Sequence, residues 1–369
     1  MRAFQVKKKV QCGNVYIGGG APVSIQSMLS VSTADVPSAL LQLSALKESG
    51  CDIVRLAVPD IEAAEAFGRI KKEQSKRYGD KAMPLVADIH FDYRLALAAL
   101  KNGADKIRIN PGNIGETGHV KSIADASKER GVPIRIGVNS GSLEKDIIEK
   151  YGGVTAAGLA ESALRNIKLI EDMDFDNIVV SIKAADVRMN YEAAKLLYEK
   201  TDHPLHIGIT EAGPLKSGKI KSAVGLGALL LLGIGDTVRV SLTGDPVEEV
   251  LCAKEILLAA GLRNSGINII SCPACGRTKT DLAKIVGELS EKLEPIKKRR
   301  EALGMKGLSV AAMGCIVNGP GEAKQADFGI AFGDGKGAVF AGGKIIAAVP
   351  EDRTVDELIR LIEKSREHV

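Results

Sequence analysis

Apolar, β-branched runs recur along the first two thirds of the chain, each followed by a longer segment of helical period. The runs fall at 22–28, 52–58, 84–90, 105–110, 133–139, 177–184, 205–211 and 237–244. "DIVRLAV" and "NIVVSIKA" are typical: short, rich in Val and Ile, the signature of a strand covered on both faces. "DVPSALLQLSALKESG" (35–50) shows a helix with its own punctuation, Asp35 at the N-cap, Pro37 in the opening turn and Gly50 at the exit. Eight such βα units predict an α/β protein built on a (β/α)8 TIM barrel. An open doubly wound sheet is the weaker reading, because no G-x-G-x-x-G turn follows an early strand. Spacing is uneven only between the fifth and sixth strands, where "SGSLEKDIIEKYGG" (140–153) reads as a lid over the barrel mouth.

The barrel is expected to end with the helix at 246–261. From 262 to 369 the pattern changes to strands ("INIIS", "LSVAAMG", "DFGIAFG", "GAVFAGGKIIAAV") mixed with two helices, a smaller α+β domain. The expected division is therefore 1–261, a substrate-binding barrel, and 262–369, a second module. Gly18–Gly20 reads as a tight turn in an N-terminal hairpin that closes the barrel bottom.

Polar residues interrupt the strands, and one set of them falls toward the C-terminal ends. Asp88 and His90 share a face, as do Arg108 with Asn110, Arg135 with Asn139, Ser181 with Lys183, and Arg239 with Ser241. Arg55 and Glu211 sit late on their own strands. Barrel active sites lie at this end. Five cations gathered there repel one another unless an anion joins them, and a diphosphate suits guanidinium forks. Internal ion pairing, Arg55 with Asp88 or Arg135 with Glu211, is the plainer alternative. His119, His203 and His206 have no partner pattern and read as structural.

Composition narrows the field without naming a function. A net charge of +4, no Trp, six Tyr and seven Phe argue against a nucleic-acid platform. The start lacks the apolar core of a secretory signal, and "VGLGALLLLGIG" is too short to span a bilayer. A cytoplasmic location is expected, where six cysteines serve as metal ligands, catalysts or buried side chains rather than disulfides. Cys12, Cys51 and Cys252 read as structural.

Cys272, Cys275 and Cys315 form a C-x-x-C and a distant third thiol. A redox dithiol leaves Cys315 unexplained. Zinc wants a fourth Cys or His, and this part of the chain offers only His368. A 4Fe–4S cluster accepts three thiolates and a weaker fourth ligand, so stoichiometry ranks cluster over zinc over dithiol. Glu322 follows Cys315 beyond a Gly-Pro-Gly turn and is the candidate for that exchangeable ligand.

The stretches "NVYIGGGAPVSIQSM", "LVADIHFDYRLAL", "KIRINPGNIG", "IRIGVNSGSL", "GITEAG", "SCPACGR" and "MGCIVNGPGEA" together resemble the bacterial 4-hydroxy-3-methylbut-2-enyl diphosphate synthases of the non-mevalonate isoprenoid pathway, over essentially the full chain. The resemblance implies a 4Fe–4S cluster on Cys272, Cys275, Cys315 and Glu322, in a module like that of sulfite reductases. It implies 2-C-methyl-D-erythritol 2,4-cyclodiphosphate in the barrel mouth, held by Arg55, His90, Arg108, Asn110, Arg135, Asn139, Lys183, Arg239 and Ser241, with Glu211 over the reacting carbons. It also implies reduced flavodoxin or ferredoxin as electron donor and a homodimer in which the partner's cluster domain closes each barrel. The rival from another class is a phosphate-binding barrel carrying a zinc or iron–sulfur sensor module.

Overall fold

A computed structural model describes residues 6–263, 266–278, 280–315, 325–333 and 335–365. The chain divides into two compact units, Met1–Arg263 and Asn264–Val369. The first opens with a hairpin, β1 (Val10–Cys12) and β2 (Val15–Ile17). Eight parallel strands follow: β3 (Ser24–Met28), β4 (Ile53–Ala57), β5 (Leu85–Asp88), β6 (Lys106–Ile109), β7 (Ile134–Asn139), β8 (Ile178–Lys183), β9 (His206–Ile207) and β10 (Thr237–Val238). They pair in the order β8-β7-β6-β5-β4-β3-β10-β9, and a bridge from Val180 to Leu205 links the two ends of the sheet. The last two strands are shorter than their apolar runs. Beyond Ile207 the ladder thins to single bonds, such as Arg239 N–H to the Ile207 carbonyl at 3.0 Å, because here the chain spreads to line the mouth.

Helices α1 (Val36–Glu48), α2 (Ile61–Tyr78), α3 (Tyr93–Lys101), α4 (Pro111–Ile114), α5 (Thr117–Arg130), α6 (Lys145–Tyr151), α7 (Ala156–Glu171), α8 (Val187–Lys200), α9 (Leu215–Leu230) and α10 (Pro246–Ala259) alternate with the strands. Asp35, Asp60, Asp92, Asp186 and Asp245 each accept a backbone N–H of the helix they start, which turns the chain back just after a strand. The core between strands and helices is built from side chains such as Leu56, Phe67, Leu85, Ile136 and Leu229. The segment read as a lid is held in place: α6 buries Ile147, and the carboxylate of Glu144 accepts from Ser162 (2.7 Å) and Asn166 (3.2 Å) on α7.

The hairpin turns at Gly13–Asn14, where Gly13 has φ +55°, and not at Gly18–Gly20, which follow β2 with φ of +74°, +63° and +78°. Its Val10, Cys12 and Ile17 pack on Ile53, Val86 and Val179. Those three point into the barrel, so the hairpin stoppers the N-terminal end. No described helix is long and apolar enough to cross a membrane.

The second unit is a five-stranded mixed sheet, β11 (Ile267–Ser271), β12 (Leu308–Met313), β13 (Phe328–Gly333), β14 (Lys336–Ala341) and β15 (Lys344–Pro350), paired in that order. Helices α11 (Leu282–Ala302) and α12 (Thr354–Lys364) pack on it through Leu289, Leu293, Leu358 and Ile362. The single apolar run at 337–349 is two strands, because Gly342 and Gly343 both take positive φ (+54° and +75°) and make a two-residue hairpin turn.

Candidate active site

In a parallel sheet, residues in register on neighbouring strands face the same side. Met28, Arg55 and Val86 are in register, as are Asp88 with Arg108 and Arg108 with Arg135. Gly137 aligns with Ser181 and Asn139 with Lys183. All of these point inward, and at the C-terminal end of the barrel all but Val86 and Gly137 line a cavity of about 250 Å³ with His90, Thr210, Arg239 and Ser241.

Arg55, Asp88, Arg108, Arg135 and Lys183 are buried, while His90 is open to solvent. Asp88 is the hub. Its carboxylate stands 3.1 Å from Arg108 Nη1, 3.6 Å from Arg55 Nε and 3.5 Å from His90 Nε2. A second carboxylate, Glu249 of α10, lies 3.6 Å from Arg239 Nε, accepts from Ser27 Oγ at 3.0 Å and accepts the Leu242 N–H at 3.0 Å. Five cations thus face two carboxylates.

The shifts in acidity follow from that imbalance. Burial alone would raise Asp88, but Arg55, a hydrogen bond from His90, Arg108 and Arg135 hold it well below the usual carboxylate range. Burial lowers Arg55 to about 10, against the attraction of Asp88. Burial drives Lys183 and Arg135 well below their ordinary values, helped by the neighbouring arginines. Arg135 Nε and Nη1 and Arg108 Nε are buried without a hydrogen-bond partner among the described residues. Unsatisfied guanidinium donors beside depressed cations are what a site for a multiply charged anion looks like when it is built in advance.

Two expected members stand apart. Asn110 is buried, but its side chain accepts the Gly112 N–H at 3.2 Å and caps α4 instead of lining the cavity. Glu211 is exposed, carries φ +52° and does not line the cavity.

Other features emerge only in three dimensions. Met28 sulfur takes hydrogen bonds from Arg55 Nε (3.2 Å) and Nη2 (2.9 Å). A Cβ on Gly137 would stand 2.7 Å from Arg108 Nε, and one on Gly208 would stand 2.8 Å from Lys183 Nζ and 2.5 Å from the Arg239 carbonyl. These glycines reserve the volume the cations occupy. Glu249 had a signal in the sequence: it shares a helical face with Ala253 and Ile256, and a carboxylate on a buried face needs a cation.

Of the other histidines, His119 stacks on Tyr93 with ring centroids 4.1 Å apart, and His203 Nε2 lies 2.9 Å from Glu171 Oε1. His206 is fully buried, and neither ring nitrogen has a hydrogen-bond partner among the described residues. Cys12, Cys51 and Cys252 are buried, and burial pushes the first two thiols up to about 11 and about 12.

In the second unit, Cys272 follows β11 and Cys315 follows the neighbouring β12, and the Gly314 N–H donates to Cys272 Sγ at 3.3 Å. Cys275 is exposed, and hydrogen bonds from Arg277 lower its thiol. Glu322 and His368 lie outside the described residues. Among the described residues no three His, Cys, Asp or Glu side chains stand close enough together to hold a metal ion.

Fold and site define a (β/α)8-barrel protein with a cationic, anion-accepting mouth, joined to an α+β unit that presents three thiols at strand ends and in the loop beside them. Residues 7–254 match the GcpE TIM-barrel domain and residues 268–364 the GcpE protein C-terminal domain. The chain belongs to the GcpE family. It is 52% identical over 360 residues to a protein of Caldanaerobacter subterraneus named 4-hydroxy-3-methylbut-2-en-1-yl diphosphate synthase (flavodoxin), covering 98% of this chain and 97% of that one. A protein of the same name from Ruminiclostridium cellulolyticum is 53% identical over 355 residues, 96% of each chain. Among solved structures, dihydropteroate synthase from Stenotrophomonas maltophilia aligns with 69% of this chain and 98% of its own at a TM-score of 0.50 and 14% identity, a likeness of fold.

Proposed function

We propose that the chain catalyses the reductive ring opening, with loss of water, of 2-C-methyl-D-erythritol 2,4-cyclodiphosphate to (E)-4-hydroxy-3-methylbut-2-enyl diphosphate. The observation that carries this reading is the mouth itself, where five cations meet two carboxylates and buried guanidinium donors await acceptors. The relatives' name gives the product and flavodoxin, and it does not favour a sensor.

In this reading Arg55, Arg108, Arg135, Lys183 and Arg239 hold the diphosphate, with His90, Asn139 and Ser241 completing the contacts. Asn110 acts by fixing the turn into α4 beside Arg108. Opening the ring frees a phosphate oxygen, and fixed cations stabilise the charge that develops there without reorganising. Glu211, on the solvent side, is the assigned proton donor.

The 1–261 barrel would bind substrate and the 262–369 module would hold a 4Fe–4S cluster on Cys272, Cys275, Cys315 and Glu322. The donor set fits such a group: three thiols, one with a lowered pKa and one taking an amide hydrogen bond, as cluster sulfurs do. When bound, the cluster supplies single electrons and a Lewis-acidic iron. Reduced flavodoxin is the assigned donor, ferredoxin the second choice, and the working form a cytoplasmic homodimer acting on a small molecule, with neither nucleic acid nor membrane as partner.

The test is anaerobic purification, iron and sulfide analysis, and turnover of the cyclodiphosphate with reduced flavodoxin. Close to four iron and four sulfide per chain, with formation of the linear diphosphate, is the expected result. Stoichiometric zinc, or iron-loaded protein that leaves the cyclodiphosphate intact, would overturn the proposal.

A further inference from the structure

A second cavity, of about 260 Å³, adjoins the cationic mouth. Asp88 and His90 belong to the walls of both cavities. The rest of the second wall is mostly apolar: Ala57, Val58 and Pro59 from the end of β4, and Phe91 and Leu95 at the start of α3. Its one other polar residue, Asp92, is engaged, since it caps α3 and pairs with Arg94 Nη2 at 2.7 Å. Phe91 is 72% exposed, an unusual placement for a large aromatic side chain, and its ring lies 6.0 Å from that of His90.

Each cavity is smaller than the ~300–1,000 Å³ usual for small-molecule sites, and the two together fall within that range. One half is made for a multiply charged anion and the other for hydrocarbon. A ligand that fills both has a diphosphate head and an apolar tail, joined at the level of His90.

We propose that the mouth and this side pocket form one composite site for long-chain allylic diphosphates, with the head among the arginines and the chain against Val58, Leu95 and Phe91. The inference rests on the diphosphate reading of the mouth. The proposed product is itself a short allylic diphosphate, whose five-carbon skeleton ends in a hydroxyl and suits an apolar pocket poorly. A longer unsubstituted chain would hold the same head more firmly and keep substrate out. The site would then act as a brake, in which longer esters of the product's chemical class compete for the mouth.

Inorganic pyrophosphate, geranyl diphosphate and geraniol, titrated calorimetrically into the anaerobically purified full chain, separate the two halves. Pyrophosphate should bind, geraniol should not, and geranyl diphosphate should bind at least tenfold more tightly than pyrophosphate, a gain that burying about two methylene groups supplies. Phe91→Ser and Leu95→Asn, which add no charge beside the mouth, should each erase most of that gain while leaving pyrophosphate affinity unchanged. Phe91 is exposed, so that variant keeps the fold even if Leu95→Asn does not. Steady-state kinetics should show geranyl diphosphate competing with the cyclodiphosphate. If pyrophosphate binds and geranyl diphosphate binds no better, the side pocket is no part of a ligand site. If the gain survives Phe91→Ser, the chain lies elsewhere and the assignment is wrong. If pyrophosphate fails to bind at all, the diphosphate reading of the mouth falls first and this inference falls with it.

Discussion

Replacing Asp88 by Asn tests the charge arrangement of the mouth directly. The substitution keeps shape and one acceptor oxygen but removes the anion shared by Arg108 at 3.1 Å and Arg55 at 3.6 Å. At an effective dielectric near 20, contacts of this length are each worth roughly 5 kcal/mol before the desolvation of Asp88 is set against them. Stranding one side of a buried ion pair costs about 3–5 kcal/mol net, which for a domain of this size lowers Tm by on the order of 10 °C. Thermal melts of the two proteins at pH 8 measure it. The difference should shrink in inorganic pyrophosphate, because a bound anion supplies the charge that Asn lacks. Its pH dependence has a definite sign. The Asp88 carboxyl is held well below its ordinary value, so its contribution is complete above about pH 4 and is lost as pH falls toward the folded-state value. The gap between wild type and variant should therefore narrow on acidification. A variant that melts within about 2 °C of wild type at pH 8, with or without pyrophosphate, would show that the cations are accommodated without Asp88 and that the charge argument is wrong.

Burial pushes Lys183 well below its ordinary value, and a bound anion should raise it again. Pyrophosphate binding should be accompanied by proton uptake and weaken as pH rises; calorimetric enthalpies that do not change with the buffer's ionisation enthalpy would contradict this. Gly208→Ala places a Cβ 2.5 Å from the Arg239 carbonyl and 2.8 Å from Lys183 Nζ, and should cost about 1–3 kcal/mol by urea titration along with most of the pyrophosphate affinity. Cys315→Ala should lose most iron and sulfide when purified anaerobically, whereas Cys252→Ala, on the buried face of α10, should keep both; equal iron in the two variants would undo the ligand assignment.

The sequence showed the barrel and most of the mouth because both leave periodic marks. A cation one or two residues from the end of a parallel strand, as with Arg108 or Arg55, has nowhere to point but the mouth. Strand length was less legible. The runs at 205–211 and 237–244 shrink to two paired residues each, since apolar period records burial and not ladder pairing. Asn110 has the same spacing from Arg108 as His90 has from Asp88, yet a following Pro111 starts a helix there and claims the side chain as a cap. Glu211 lies on its strand by period, but the backbone has already left the barrel wall at a positive φ. Glu249 announces a charge on a buried helical face but not which cation it meets, and the glycines beside Arg108 and Lys183 act across strands distant in the chain, where no local pattern encodes the contact.

The hairpin that stoppers the barrel also sets an order of assembly. Residues 10–17 leave the ribosome before the strands they rest on, Ile53, Val86 and Val179 among them, and the adjoining Lys8 N–H bonds to the Asp202 carbonyl at 2.7 Å. The hairpin can pair with itself at once, but its seat on the barrel is complete only when the chain has been made past Asp202. Loop-closure entropy places these long-range contacts late in folding. Until then Val10 and Ile17, buried in the finished barrel, lack the side chains that cover them, and transiently bare apolar surface of this kind makes a folding intermediate prone to association.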